Sequence, residues 1–180
     1  MRLYHGSDVA VRSPQIAFNK GFADLGHGFY LTDDSDVARA RARSRARRTG
    51  QPAGVVSVFE FDQDAVPWVT WGEQEPSSPG GAPTSAFGLR FEANPAGVAA
   101  WAAYIMACRK GQTQVPGLGN PVVVRAWIAT EEVEMVCSGY ADPQDLKVFV
   151  NPADLVVQYC LLDQDLIDQH LVFVEEQVAG

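Results

Sequence analysis

Residues 26–48 read GHGFYLTDDSDVARARARSRARR, and this stretch sets the fold class. Residues 28–32 form a strand-length run, and Thr32-Asp33-Asp34-Ser35 then supplies the oxygens that cap a helix N-terminus. A helix of about 13 residues follows, ending at Arg48. Upstream, residues 2–5 (RLYH) read as a short strand ended by Gly6-Ser7. Downstream, residues 55–61 (VVSVFEF) alternate, with Val56 and Val58 on one face and Glu60 in phase with them. Residues 95–110 read as a second helix that starts at Pro95 and carries Val98, Trp101, Ala102, Ile105 and Cys108 at three- and four-residue spacing. Residues 122–129, 133–137 and 155–161 read as strands, followed by a short helix near 163–170 and a last strand over 171–174. Strands separated by loops, with few helices, point to an α+β class rather than a doubly wound sheet.

The 180-residue length suits a single domain spanning residues 1–180. Residues 72–88, dense in Gly, Pro and Ser, read as a long loop. Hydrophobic residues make up 47% of the chain, too many for a disordered chain. The net charge of -8 excludes a generally basic nucleic-acid binder. The charge is uneven, however. Residues 1–50 hold nine Lys/Arg against five acids, whereas residues 129–180 hold Lys147 against eleven. A polyanionic ligand should therefore meet the N-terminal third.

No charged segment with an apolar run behind it opens the chain, and no apolar stretch is long enough to span a bilayer. Cys108, Cys137 and Cys160 are odd in number and lack CxxC spacing, which fits thiols in a reducing cytoplasm. His5, His27 and His170 form no HxxxH pair, so no metal site is expected.

Two short segments can carry chemistry. In Leu3-Tyr4-His5-Gly6-Ser7, a histidine ends a strand on the same face as Leu3. In Gly26-His27-Gly28-Phe29-Tyr30-Leu31-Thr32, two glycines precede an aromatic and let backbone approach a flat ligand. Leu31 breaks the GxGxxG pattern, so no Rossmann fingerprint follows.

Together, LYHGS and GHGFYLT resemble the ADP-ribosyltransferase superfamily, in its branch with a His–Tyr–third-residue site. More closely, the chain resembles an uncharacterised bacterial domain family distantly related to those enzymes. The likeness extends through Val11, Pro14, Asp24-Leu25-Gly26 and the Ala-rich helix to about residue 42, and again over residues 97–110, where a Trp-bearing helix ends in Arg109. Segments 134–142 (EMVCSGYAD) and 156–160 (VVQYC) complete the pattern.

The resemblance implies an ADP-ribosyltransferase-like split sheet and NAD as substrate, with no metal. It implies that His5 bonds the adenosine ribose, that the Gly6 backbone grips the nicotinamide carboxamide, and that Tyr30 stacks on the nicotinamide with Gly28 making room. Ser7 and Thr32 complete the implied NAD contacts. An aromatic face suits a cationic nicotinamide, and breaking its bond to ribose needs a fixed sugar and a stabilised cationic centre. The implied third residue is Gln158. Residues 155, 157, 159 and 161 are apolar, and Gln158 faces the other way with Val156 and Cys160. A glutamine can hydrogen-bond a ribose but cannot act as a general base. Glu132 and Glu134, sharing one face of the strand read over 133–137, are the rival candidates.

Arg39, Arg43 and Arg47 share one stripe of the first helix, and Arg41, Arg45 and Arg48 lie roughly opposite. They can grip phosphates of NAD or of a nucleic-acid acceptor, or form a solvated face that balances the acidic C-terminal third. The expectation is an NAD-dependent ADP-ribosyltransferase that modifies a macromolecular acceptor, a bacterial toxin or effector paired with a neutralising partner protein and using no membrane. The alternatives are an NAD glycohydrolase, a catalytically silent NAD or ADP-ribose-binding module, and a nucleic-acid-binding domain built on the arginine helix.

Overall fold

The alternating segment VVSVFEF forms a central strand in the computed structural model, which describes residues 1–16, 23–72, 86–115, 118–142 and 155–180. This strand, β3 (Gly54–Phe61), pairs antiparallel along its full length with β1 (Arg2–Ser7) and β8 (Leu171–Ala179). Its Val56 and Val58 are fully buried while Glu60 is exposed. The remaining strands are β2 (Phe29–Thr32), β4 (Trp68–Trp71), β5 (Gly88–Phe91), β6 (Val123–Trp127) and β7 (Val157–Leu161). All eight lie in one mixed sheet of order β4-β5-β6-β7-β2-β1-β3-β8, parallel only at β4–β5 and β5–β6. Four α-helices accompany the sheet among the described residues: α1 (Ser35–Thr49), α2 (Pro95–Arg109), α3 (Glu131–Cys137) and α4 (Gln164–His170). The class is α+β.

Helix α1 begins where the sequence predicts, with the Asp34 carboxylate accepting from the Asp36 and Val37 amides. It ends at Gly50 in the left-handed region. Its Ala38, Ala42 and Ala46 are buried, and this smooth stripe lets the helix settle onto β1 and β3. The approach is closest at Gly6. A Cβ there would stand 2.0 Å from the Ala38 carbonyl oxygen, so β1 can lie beneath α1 only with glycine at this position. Helix α2 is capped by the Asn94 side chain, which accepts from the Gly97 amide, and its predicted apolar positions are buried. Trp101 anchors that core edge-on to Trp127, with ring centroids 5.3 Å apart.

Strand alternation divides the core. Tyr4, Gly6, Val56, Val58, Tyr30, Thr32, Gln158, Cys160, Val124 and Ala126 share one face, as their register shows. On that face α1 covers Val56 and Val58, and α2 packs with Cys160, Val124 and Ala126. On the other face Leu166 and Ile167 of α4 pack with Leu3, Phe29, Leu31, Phe59 and Leu161.

Several boundaries differ from the sequence reading. Residues 133–137, expected as a strand, belong to helix α3. Three glutamates in its first turn suit a helix N-terminus, and Val133 and Val136 are buried at helical spacing while Met135 is exposed. Strand β1 continues through Gly6 and Ser7 instead of stopping there, because β3 pairs with it as far as Ser7↔Val55. Strand β8 runs past residue 174 to Ala179, since β3 offers a full-length partner. Strands β4 and β5 were not anticipated. Residues 73–85, most of the expected Gly/Pro/Ser loop, lie outside the described residues.

Candidate functional site

The site forms where two neighbouring strands part. Strand β1 pairs with β2 at one position, Tyr4↔Thr32, while its other edge stays bonded to β3 through Ser7. Beyond Tyr4 the β1–β2 seam opens into a cleft of about 580 Å³. That volume is in the range of small-molecule sites. The cleft is lined from both faces of the sheet: His5 and Phe29 come from one, Tyr30, Arg41 and Arg45 from the other. Ser7, Gly26 and Gly28 border it as well, and among the described residues no Asp or Glu lines it.

His5 stands at the fork. Its Nδ1 lies 2.7 Å from the Tyr30 carbonyl oxygen, a group that can only accept, so Nδ1 carries the proton. This side-chain bond spans the seam where the strand ladder has stopped. The ring packs against Phe29, with centroids 4.5 Å apart. Burial pushes its pKa down from 6.5 to about 4; the Tyr30 carbonyl bond opposes this, and the nearby Arg41 and Arg45 charges add to the lowering. At neutral pH His5 is therefore a neutral imidazole whose Nε2 is an acceptor, the form that receives a hydrogen bond from a sugar hydroxyl.

Tyr30 is held by its hydroxyl. The phenol donates to the Gly26 carbonyl oxygen at 2.8 Å and accepts from the Leu25 amide at 2.9 Å. Burial, foremost, raises its pKa. With both hydrogen-bonding directions used, the side chain is a fixed aromatic wall rather than an acid or base. The loop that holds it is braced in turn. Arg109 at the end of α2 donates to Asp24 Oδ1 from Nε at 2.9 Å and from Nη2 at 2.6 Å. The same guanidinium reaches Glu134 at 2.8 and 2.5 Å. Arg109 thus ties α2 and α3 to the segment that clamps Tyr30. Helix-terminal electrostatics alone would have left this link unrecognised.

Residues 1–72 match the model of a family described as a protein of unknown function, DUF3990. No curated protein and no solved structure matches the chain. Every residue lining the cleft falls inside the matched segment, whereas Gln158 falls outside it.

The other sequence-derived site residues occupy varied positions. Gly28 borders the cleft, but its missing side chain makes room for β7 rather than for a ligand. A Cβ would lie 2.4 Å from the Leu161 carbonyl oxygen and 2.5 Å from Cys160 Sγ. Ser7 is buried and donates to Asp8 at 3.1 Å. Thr32 lies outside the main cleft. Its hydroxyl donates to the Val157 carbonyl oxygen at 2.8 Å and accepts from the Asp34 amide at 3.2 Å, tying β2 to β7 and to the start of α1.

Gln158 shares the face of Tyr30, as its alternation predicts, and is buried. It lines a small side cavity of about 20 Å³ that shares Gly6, Tyr30 and Arg41 with the main cleft. Its Nε2 donates to the Trp127 carbonyl oxygen at 2.9 Å. The rivals Glu132 and Glu134 do not share a strand face. They stand on the first turns of α3, lining neither cavity, and Glu134 is engaged by Arg109.

The arginines of α1 separate by direction. Arg39 bonds Gln177 Oε1 and Arg43 lies 3.4 Å from the Gly180 carbonyl oxygen, both toward the C-terminal strand. Arg41 and Arg45 line the cleft. Among the described residues, no group of three or more His, Cys, Asp or Glu is placed to hold a metal, and no helix is long and apolar enough to cross a membrane.

Proposed function

We propose that the protein is an NAD-dependent ADP-ribosyltransferase that cleaves the nicotinamide–ribose bond and passes ADP-ribose to a macromolecular acceptor. The supporting observation is the cleft at the β1–β2 fork, where a neutral His5 acceptor, the fixed Tyr30 ring and two cationic side chains border one space. In this reaction the C1′–N bond breaks and its electron pair stays with nicotinamide, which leaves neutral. An oxocarbenium-like C1′ remains for the acceptor to attack. His5 Nε2 would bond a ribose hydroxyl and Tyr30 would face the nicotinamide. For Gln158 to bond the second ribose, its side cavity of about 20 Å³, room for one water, would have to widen. The acceptor's proton would pass to solvent, since among the described residues the cleft offers no carboxylate to take it.

On the resemblance of LYHGS and GHGFYLT, the reading extends to a cytoplasmic bacterial toxin or effector with a neutralising partner. Three free cysteines agree with a reducing compartment. The acid-free cleft also favours a second reading, a silent module that binds NAD or ADP-ribose without cleaving it. Nicotinamide release from NAD by wild type and by Tyr30→Ala, with and without cell lysate, separates the two. Release by wild type alone supports cleavage, and dependence on lysate supports a macromolecular acceptor over water. NAD bound with no release under any condition supports the silent module.

A further inference from the structure

We propose that Arg41 and Arg45 form a phosphate-binding subsite of the cleft, and that its ligand is the diphosphate linkage of a dinucleotide. The inference rests on the NAD reading and assigns a part of the ligand that His5, Tyr30 and Gln158 leave unaddressed.

The argument starts from how α1 spends its charge. The helix carries six arginines with no carboxylate after its first turn. Arg39 and Arg43 are directed to β8 and the C-terminal backbone. Arg47 and Arg48 sit in the last turn, where a cation complements the helix dipole. Arg41 and Arg45 have neither use. They are four residues apart, so they lie on one face about 6 Å apart along the axis. That face borders the cleft. Among the described residues, the ion pairs are Arg12–Glu176, Arg109–Asp24, Arg109–Glu134 and His170–Asp62, and neither cleft arginine takes part in one.

Two like charges one helical turn apart repel, and among the described residues the cleft wall contains no acid to relieve them. Burial, then Arg45, chiefly lowers the pKa of Arg41, with Arg48 adding to this and Tyr30 and Asp24 opposing it. His5, which could add a third positive charge, is neutral. Two carboxylates exert a lesser influence on the pair: Asp24, engaged by Arg109, acts on Arg41, and Asp8, whose carboxyl is held down chiefly by its own backbone amide, has Arg45 as a lesser cause. Each guanidinium presents a planar fork that matches phosphate oxygens, and two forks on one face suit two linked phosphates. The side chains nearest the chemistry read sugar and ring. Arg41 borders both the main cleft and the Gln158 cavity, and Arg45 borders the main cleft.

The test is calorimetric titration with ADP-ribose, adenosine and inorganic pyrophosphate, on wild type, Arg41→Gln, Arg45→Gln and Arg41→Lys, with Arg47→Gln as control. ADP-ribose binding should weaken about ten- to a hundredfold in each Gln variant and fall steeply with salt in wild type. Arg41→Lys, which keeps the charge and loses the fork, should retain part of the affinity and guards against a folding defect. Arg47→Gln and adenosine should show no change. Unaltered ADP-ribose affinity in both Gln variants, with nicotinamide release intact in wild type, would overturn the subsite and leave the NAD reading standing. Pyrophosphate binding that depends on both arginines, with no binding of ADP-ribose or NAD, would uphold an anion site and overturn the dinucleotide assignment. No binding of any phosphate probe by wild type would overturn the subsite itself.

Discussion

The protonation of His5 gives the sharpest quantitative expectation. In the folded chain its pKa is lowered from 6.5 to about 4, mainly by burial, with Arg41 and Arg45 contributing. Above the unfolded value the imidazole is neutral in both states and stability does not depend on it. As pH falls from 6.5 toward 4, the unfolded chain takes up a proton that the folded chain refuses. Stability is therefore lost across that window and levels off once both states are protonated. At about 1.36 kcal/mol per unit, the full window amounts to about 3 kcal/mol. Carboxylates also titrate in this range, so the measurement must be a difference. His5→Asn keeps a donor for the Tyr30 carbonyl and removes the titration. The gap in unfolding free energy between wild type and variant, from urea melts between about pH 7.5 and pH 4, should move in the variant's favour by about 3 kcal/mol. A constant gap, or an imidazole that titrates near 6.5 by NMR, would refute the burial argument. It would also remove the basis for a neutral Nε2 acceptor at the fork.

Three other outcomes are expected. Gly28→Ala should destabilise by at least about 2 kcal/mol in chemical denaturation, because the new methyl meets Leu161 backbone and Cys160 Sγ. Adding Cys160→Ala should restore only part of this, since the carbonyl clash remains; a neutral single variant would refute the close approach. Arg109→Gln should cost about 1–2 kcal/mol in the same assay, given its partly exposed partners, and should lower nicotinamide release further by loosening the Asp24 segment that clamps Tyr30. Full release would show that the clamp stands without it. Gln158→Glu should lose about 2 kcal/mol, because a carboxylate cannot donate to the buried Trp127 carbonyl, and should not speed nicotinamide release. A variant both stable and faster would show that the site accepts a catalytic carboxylate.

Local chemistry made much of the fold legible. Capping oxygens at residues 32–35 and the alanine triplet specify α1, and alternation specifies β3 and the β7 face that carries Gln158. Where the sequence was ambiguous, the ambiguity had a physical source. VEMVC fits both a two-residue and a three-residue period, and the three glutamates around Val133 were the signal that favoured a helix. Strands β4 and β5 are four residues each and gain their stability from parallel pairing, which no local pattern announces. The sequence singles out His5 and Tyr30, but not that they leave opposite faces of the sheet and border one cleft where β1 and β2 part. Helical spacing separated the arginines into stripes, yet only tertiary placement shows that Arg41 and Arg45 border the cleft. The Asp24–Arg109 contact bridges 85 positions and left no trace in spacing.

The distribution of charge around the fork constrains any chemistry done there. A neutral imidazole, a phenol with both hydrogen-bonding directions used and two guanidiniums outside the ion pairs make a cleft that attracts anions and, among the described residues, offers no carboxylate. Such a wall opposes positive charge developing at a ribose carbon, unless the ligand's own phosphates first neutralise the arginines. On the proposed reaction, the diphosphate is therefore part of the electrostatics of bond cleavage as well as of binding. Once it is seated, the field at C1′ is set by phosphate oxygens instead of by Arg41 and Arg45. An acceptor entering this cleft finds no carboxylate to deprotonate it, so it must arrive already nucleophilic. On the same proposal, a glutamine would suffice at position 158, because the task left for that side chain would be to hold a hydroxyl.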